Sequence, residues 1–299
     1  MTDEKTETEK LNFINETQRF ITNQWLGFNY NLDLFFTAKD YNQKQNKSLI
    51  LGYYGFNKRE SRAGIQDYDV KMRFHLPKVS ERMRVVLEKE RDEILRSNNP
   101  ETVGTLNPRT NTTDPNAPQS SDFVAGVSYF APKTEVVKTF FDVGMKIKLP
   151  FDPYSKLRFQ KNIELGFMNI FLSQGFFLYR QDGFQETSQI SFSKKFNSFF
   201  QIEQINSLGW TDKLDRFSPR NNLIFYYLMD QNSLNLSLGA NGQFSPQTVY
   251  SSYDATLNFR KLSHKNWFYV NYGVGAEYPK IKNYNAEYFA FIRTEIFFR

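Results

Sequence analysis

From about residue 47 to the C-terminus, apolar and polar residues alternate one by one in segment after segment, a pattern that fits an extended strand with two unlike faces. Asp69, Lys71, Arg73 and His75 alternate with Val70, Met72, Phe74 and Leu76. After the turn at Pro77 to Ser80, Met83, Val85 and Leu87 stand against Arg82, Arg84 and Glu88. Phe141, Val143, Met145, Ile147 and Leu149 alternate with Asp142, Gly144, Lys146 and Lys148, and Tyr253, Ala255, Leu257 and Phe259 with Asp254, Thr256, Asn258 and Arg260. Half-buried strands of a soluble sandwich alternate as well. Here the pattern repeats in segments close to the roughly 9–11 residues that cross a bilayer obliquely.

Composition supports the membrane reading. Aromatic residues make up 17% of the chain, yet mean hydropathy is −0.59. These two values conflict in a globular core and agree in a barrel, where apolar residues face lipid and polar residues face the lumen. The longest clean apolar run, Leu223 to Met229, is far short of the roughly 18 residues of a membrane-spanning helix. With no cysteine, disulfide and thiolate chemistry are excluded. A net charge of +6 is too small to point to nucleic acid. The polar start Met1-Thr-Asp-Glu-Lys reads as a mature end from which a secretory signal was removed; the alternative is a cytosolic protein that never had one.

The expected fold is an all-β transmembrane antiparallel β-barrel of about fourteen strands, the first near 47–57 and the last near 286–298, with a short N-terminal amphipathic helix. Short links near 77–80, 197–198, 231–233 and 263–265 read as periplasmic turns. Longer links near 91–121, 211–221 and 279–286 read as extracellular loops, the first of them turn-rich and apolar-poor. An even strand count returns both barrel ends to the periplasm. The faces of the strands near 167–180 and 199–210 are ambiguous. Aromatics collect at strand ends in two belts: Tyr154, Tyr179, Trp210, Tyr250, Tyr278 and Tyr288 outside, and Tyr129, Phe196, Phe199, Trp267 and Phe298 on the periplasmic side.

Residues 1–46 form a separate periplasmic region, and 47–299 the barrel. Leu11, Ile14, Ile21, Trp25 and Phe28 recur at helical steps, with Phe13 and Phe20 widening the apolar side. This is either a helix that packs on something nearby, or a periplasmic plug or partner-binding helix.

Three segments resemble an uncharacterised family of proteobacterial outer-membrane β-barrel proteins: Met72-Arg-Phe-His-Leu-Pro-Lys-Val-Ser-Glu-Arg-Met-Arg-Val-Val-Leu87, Lys146-Ile-Lys-Leu-Pro-Phe-Asp-Pro-Tyr-Ser-Lys-Leu-Arg158 and Phe291-Ile-Arg-Thr-Glu-Ile-Phe-Phe298. The resemblance runs from about residue 45 to the end and implies a barrel in the outer membrane, without supplying an activity or functional residues. The ending also resembles the terminal strand signal of barrels in general, with Arg299 following the aromatic Phe298 as a departure.

Catalytic signals are weak. His75 and His264 stand alone, and Asp67 with Asp69 fits a solvated strand face. No phosphate-binding loop, EF-hand loop or His-x-x-x-His spacing is present, so no catalytic, cofactor or metal residues are assigned. The inward charges say more. Lys71, Arg73, Arg82, Arg84, Lys146, Lys148, Lys156 and Arg158 share the expected lumen face with Asp69, Glu88, Glu90 and Asp142, because a charge facing lipid at mid-membrane costs about 2–4 kcal/mol. They form either cross-strand ion pairs or a basic lining that attracts anions. The leading function is a pore or transport channel for small solutes with weak anion preference. The alternatives are a structural or assembly protein that binds a periplasmic partner through residues 1–46 and, less favoured, an outer-membrane enzyme. The other expected partners are the bilayer and outer-membrane lipids.

Overall fold

The computed structural model describes residues 15–24, 26–27, 49–60, 62–75, 83–89, 123–130, 137–147, 151–181, 183–212, 216–244, 248–264 and 267–298. Strands dominate. They are β1 Leu49–Arg59, β2 Arg62–His75, β3 Met83–Lys89, β4 Phe123–Phe130, β5 Lys138–Ile147, β6 Asp152–Leu165 and β7 Met168–Tyr179. The second half contains β8 Gly183–Lys195, β9 Phe200–Thr211, β10 Arg216–Met229, β11 Asn232–Phe244, β12 Thr248–His264, β13 Phe268–Pro279 and β14 Glu287–Phe298. Each strand pairs antiparallel with its neighbours in chain order, and β14 pairs with β1 through ten residue pairs, Ile50 with Phe298 to Arg59 with Phe289. Joining the first strand to the last leaves no open sheet edge, which a wall standing in lipid requires because hydrocarbon offers backbone groups no partner. The β2–β3 seam is narrow, with four pairs from Met72–Leu87 to His75–Arg84.

Burial separates the two faces. On β14, Glu287, Phe289, Phe291, Glu295 and Phe297 are buried, while Tyr288, Ala290 and Ile292 are exposed. On β5, Asp142 and Lys146 are buried and Phe141, Val143, Met145 and Ile147 exposed. Large apolar side chains that face out while lysines and acids face in are what a lipid surround selects. The outer aromatic belt is continuous across four strands. Phe176 stacks on Phe184 at 6.3 Å, Phe184 meets Trp210 at 6.0 Å, and Trp210 meets Phe217 at 6.4 Å. At the other end Phe167, Phe196, Phe199 and Tyr227 are exposed. Phe217 and Tyr227 lie on one strand with a vertical separation of about 25 Å at a usual barrel tilt, the height of an outer-membrane apolar band.

Several expectations change. Tyr154 and Tyr179 do not join the outer belt: they face inward, 9% and 5% exposed. Trp267 is likewise buried, in an inner cluster with Leu51, Tyr53 and Phe297. The expected loop 211–221 shrinks, since β10 begins at Arg216 and pairs there with Thr211. The link 91–121 lies outside the described residues.

Residues 15–24 are helical. Gln18 donates from its side-chain amide to the Thr22 hydroxyl one turn on, at 3.1 Å, and Thr22 is buried. Asn15 is tied to His264 at the end of β12, 2.7 Å between the Asn15 Oδ1 and the His264 Nε2. Leu26 packs against the same apolar cluster as Ile50, Met72 and Val85. Phe20 is 63% exposed. Leu11, Phe13, Ile14, Trp25 and Phe28 lie outside the described residues.

Candidate functional site: the inner wall of the barrel

The inner wall is built by register. Cross-strand partners share a face, so one inward residue fixes its neighbours around the barrel. On β4 to β7 this brings Val124, Lys146, Asp142, Tyr154, Lys156, Arg158, Phe177 and Tyr179 together. Lys146 lies 3.8 Å from Asp152 and 4.3 Å from the centre of the Tyr179 ring. The Lys156 ammonium lies 4.6 Å from the Tyr154 ring centre, with Phe177 and Tyr179 within 6 Å. Arg158 donates to Asp142 at 2.7 Å. The Gln181 backbone N–H donates to Asp152 at 3.0 Å, so that fully buried carboxylate also holds the loop after β7. Ring faces and carboxylates together replace much of the hydration that a buried ammonium loses.

The opposite side of the wall is polar in a different way. Ser237 donates to Asn222 at 2.8 Å, Asn241 to Ser252 at 3.1 Å, and the Tyr226 hydroxyl to Glu203 at 3.1 Å. Glu295, 1% exposed, accepts from the Arg260 Nε at 3.0 Å and from Asn271 at 2.8 Å. The Arg260 guanidinium lies 3.5 Å from the Tyr269 ring centre. At the outer end, Asp254, Glu277 and Glu287 occupy neighbouring inward positions. Arg59 meets Glu277 at 2.7 Å and Lys282 meets Glu287 at 3.1 Å, so two of these three neighbouring carboxylates each hold a cation, while Asp254 accepts from the Asn241 amide at 3.4 Å. Among the described residues, no group of three or more acidic, His or Cys side chains converges as a metal site.

Three glycines let inner rings lie against the wall. Gly144, Gly273 and Gly275 are the direct cross-strand partners of Tyr154, Phe291 and Phe289. A Cβ on Gly273 or Gly275 would collide with the ring opposite it, and one on Gly144 with the Ala125 carbonyl and the Tyr154 hydroxyl.

Of the eight basic residues read from the sequence, Lys146, Lys156 and Arg158 face inward and are engaged as described. Register places Lys71 and Arg73 on the face of Leu51 and Leu49, and Arg84 on the face of Ser128 and Asp142. Arg82 and Lys148 lie outside the described residues. Sequence reasoning missed the aromatic half of this site, Tyr154, Phe177 and Tyr179. Arg260 and Glu295 were legible as inward charges; that they meet each other and Asn271 across three strands was not. The usable signal was inward parity at Tyr154 opposite Gly144.

No protein-family model matches the chain, and no curated protein matches it by sequence. Among solved structures it is similar to the loop L8 deletion mutant of OmpT, an outer-membrane protein of Vibrio cholerae. The TM-score is 0.51 and identity 8%, over 85% of this chain and 99% of that one. It is also similar to CdiB from Acinetobacter baumannii, with TM-score 0.52 and 9% identity over 84% of this chain and 60% of that one. At such identities the likeness is one of fold alone: a transmembrane antiparallel β-barrel.

Proposed function

We propose that this outer-membrane barrel is a pore for small polar solutes rather than an enzyme, with a slight anion preference arising at the β2–β6 wall. The observation that supports this most is the chemistry of the inner face. From β8 to β14 it carries hydroxyls, amides and ion pairs, groups that water and small hydrophilic solutes can wet. The preference is slight because Lys146 and Arg158 each already have a carboxylate, leaving less net charge for a passing ion. The quoted sequence segments support membership in the proteobacterial outer-membrane family they resemble.

The test is conductance in planar bilayers with a salt gradient. The reading expects ion conduction, a reversal potential of anion sign that fades as salt rises, and loss of that sign when Lys71, Arg73 and Lys148 are replaced together by Gln. Cation preference in the unmodified protein would overturn the basic-wall reading. A second reading, assembly through a periplasmic protein that binds residues 1–46, is favoured by the exposed Phe20 and by the tie between Asn15 and His264. A correctly folded barrel that conducts neither with nor without residues 1–46 would favour it.

A further inference from the structure

The outer face of the barrel is apolar around most of its girth, as with Leu234, Leu236 and Leu238 on β11 and Tyr272 and Val274 on β13. Strands β7 to β10 break this rule. Gly175, Phe177 and Tyr179 on β7, Ser191 on β8, Ser207 and Gly209 on β9, and Asn222, Ile224 and Tyr226 on β10 are the buried, inward residues. By parity Gln174, Glu186, Ser188, Gln204, Asn206 and Asn221 therefore point out. Register puts Gln174 opposite Ser188 and Asn206 opposite Asn221, and makes Ser188 and Asn206 diagonal neighbours across the β8–β9 seam, where Leu208 and Ile190 stand directly opposite them. They are already linked. Ser188 donates to Gln174 at 2.6 Å, Gln174 donates to Glu186 at 2.8 Å, and Asn221 donates to Asn206.

Their depth matters. Along β9 and β10, Trp210 and Phe217 mark the outer aromatic belt, and Phe200 and Tyr227 the periplasmic one. Asn206 and Asn221 each lie four positions inside the outer belt, about 10 Å below it at a usual strand tilt. That is the hydrocarbon zone, where an amide has no solvent partner. A side-chain amide offers two N–H donors and a carbonyl with two lone pairs, and the bonds above use only part of that capacity.

We propose that this polar face of β7–β10 is an interface between copies of this chain in the outer membrane. Two arguments select a second copy over another occupant. Amides and hydroxyls are donor and acceptor at once, so the patch is complementary to itself. A second copy, held by the same aromatic belts, presents the same groups at the same depth, which an unrelated barrel has no reason to do. Acyl chains offer the patch nothing, and lipid headgroups lie at the level of the belts.

The chain has no cysteine, so single reporters are clean. Ser188→Cys marks the patch. Tyr54→Cys, exposed on β1 seven strands away in either direction, is the control. Each full-length variant is treated in isolated outer membranes with a bis-maleimide, after its fold is checked by heat-modifiable gel migration. Ser188→Cys is expected to give a product of twice 35.3 kDa, and Tyr54→Cys none. Adding Asn206→Leu and Asn221→Leu to Ser188→Cys should lower the dimer about tenfold while the barrel stays folded, the change that loss of a few membrane polar contacts predicts. No dimer from Ser188→Cys, equal dimer from both sites, an adduct whose mass fits a different protein, or a dimer unmoved by the leucine pair would each overturn the proposal.

Discussion

Glu295→Ala tests whether the inner wall is packed or washed by water. Glu295 is 1% exposed and holds Arg260 at 3.0 Å and Asn271 at 2.8 Å, while the Arg260 side chain is itself 11% exposed. Each hydrogen bond to a charged group is worth about 1.5–3 kcal/mol, and removing one partner of a buried pair costs about 3–5 kcal/mol because the other charge stays behind. The Tyr269 ring against the Arg260 guanidinium survives the change and offsets part of this. The expected loss is therefore about 3 kcal/mol, at the lower end of that range. Urea unfolding in lipid vesicles, followed by tryptophan fluorescence, measures it, since Trp267 packs with Tyr269 beside the pair. Replacing both partners, Glu295→Leu with Arg260→Met, should recover most of the loss because no charge is then stranded. If Glu295→Ala unfolds within about 1 kcal/mol of the natural protein, as for an exposed pair, Arg260 is hydrated and this stretch of wall is open to water.

Three further outcomes are expected. Val274→Arg, 55% exposed on the outer face of β13, should cost about 2–4 kcal/mol in the same unfolding assay if the site is near the midplane, and a neutral result would show the face or the depth to be misassigned. Gly144→Ala should cost about 1–3 kcal/mol, since its Cβ meets the Ala125 carbonyl and the Tyr154 hydroxyl; pairing it with Tyr154→Phe should leave most of that cost in place, because the backbone clash remains. His264→Ala removes the polar tie to Asn15, so protease cleavage within residues 15–24 should become faster while the barrel keeps its heat-modifiable migration; unchanged cleavage would show that the tie does not hold the helix.

Much of this wall could be read from alternation, because a period of two is all a two-faced strand demands. The reading blurred near 167–180 and 199–210 for a physical reason. There Ser173 and Gln174, or Asn206 and Ser207, put polar groups on both faces at once, and only the inward burial of Gly175, Phe177, Ser207 and Gly209 resolves which is which. Tyr154 and Tyr179 were misassigned because an aromatic residue at a strand end suits either a headgroup belt or an inner wall. The glycine that decides the matter for Tyr154 lies on the neighbouring strand. The Arg158–Asp142 pair is legible from one hairpin, whereas Arg260 reaches Glu295 across an intervening strand.

The glycines opposite Tyr154, Phe289 and Phe291 bear on the bore of the barrel. A ring laid along the backbone takes up about 3.5–4 Å of radius, one van der Waals layer, where a ring standing on end would reach across the passage. With its hydrogen in place of a side chain, glycine serves as a recess that keeps large aromatic residues out of the cross-section. The calibre of the lumen is thus set partly by residues that never touch what is inside it, and a single added methyl on Gly273 would push the Phe291 ring toward the axis.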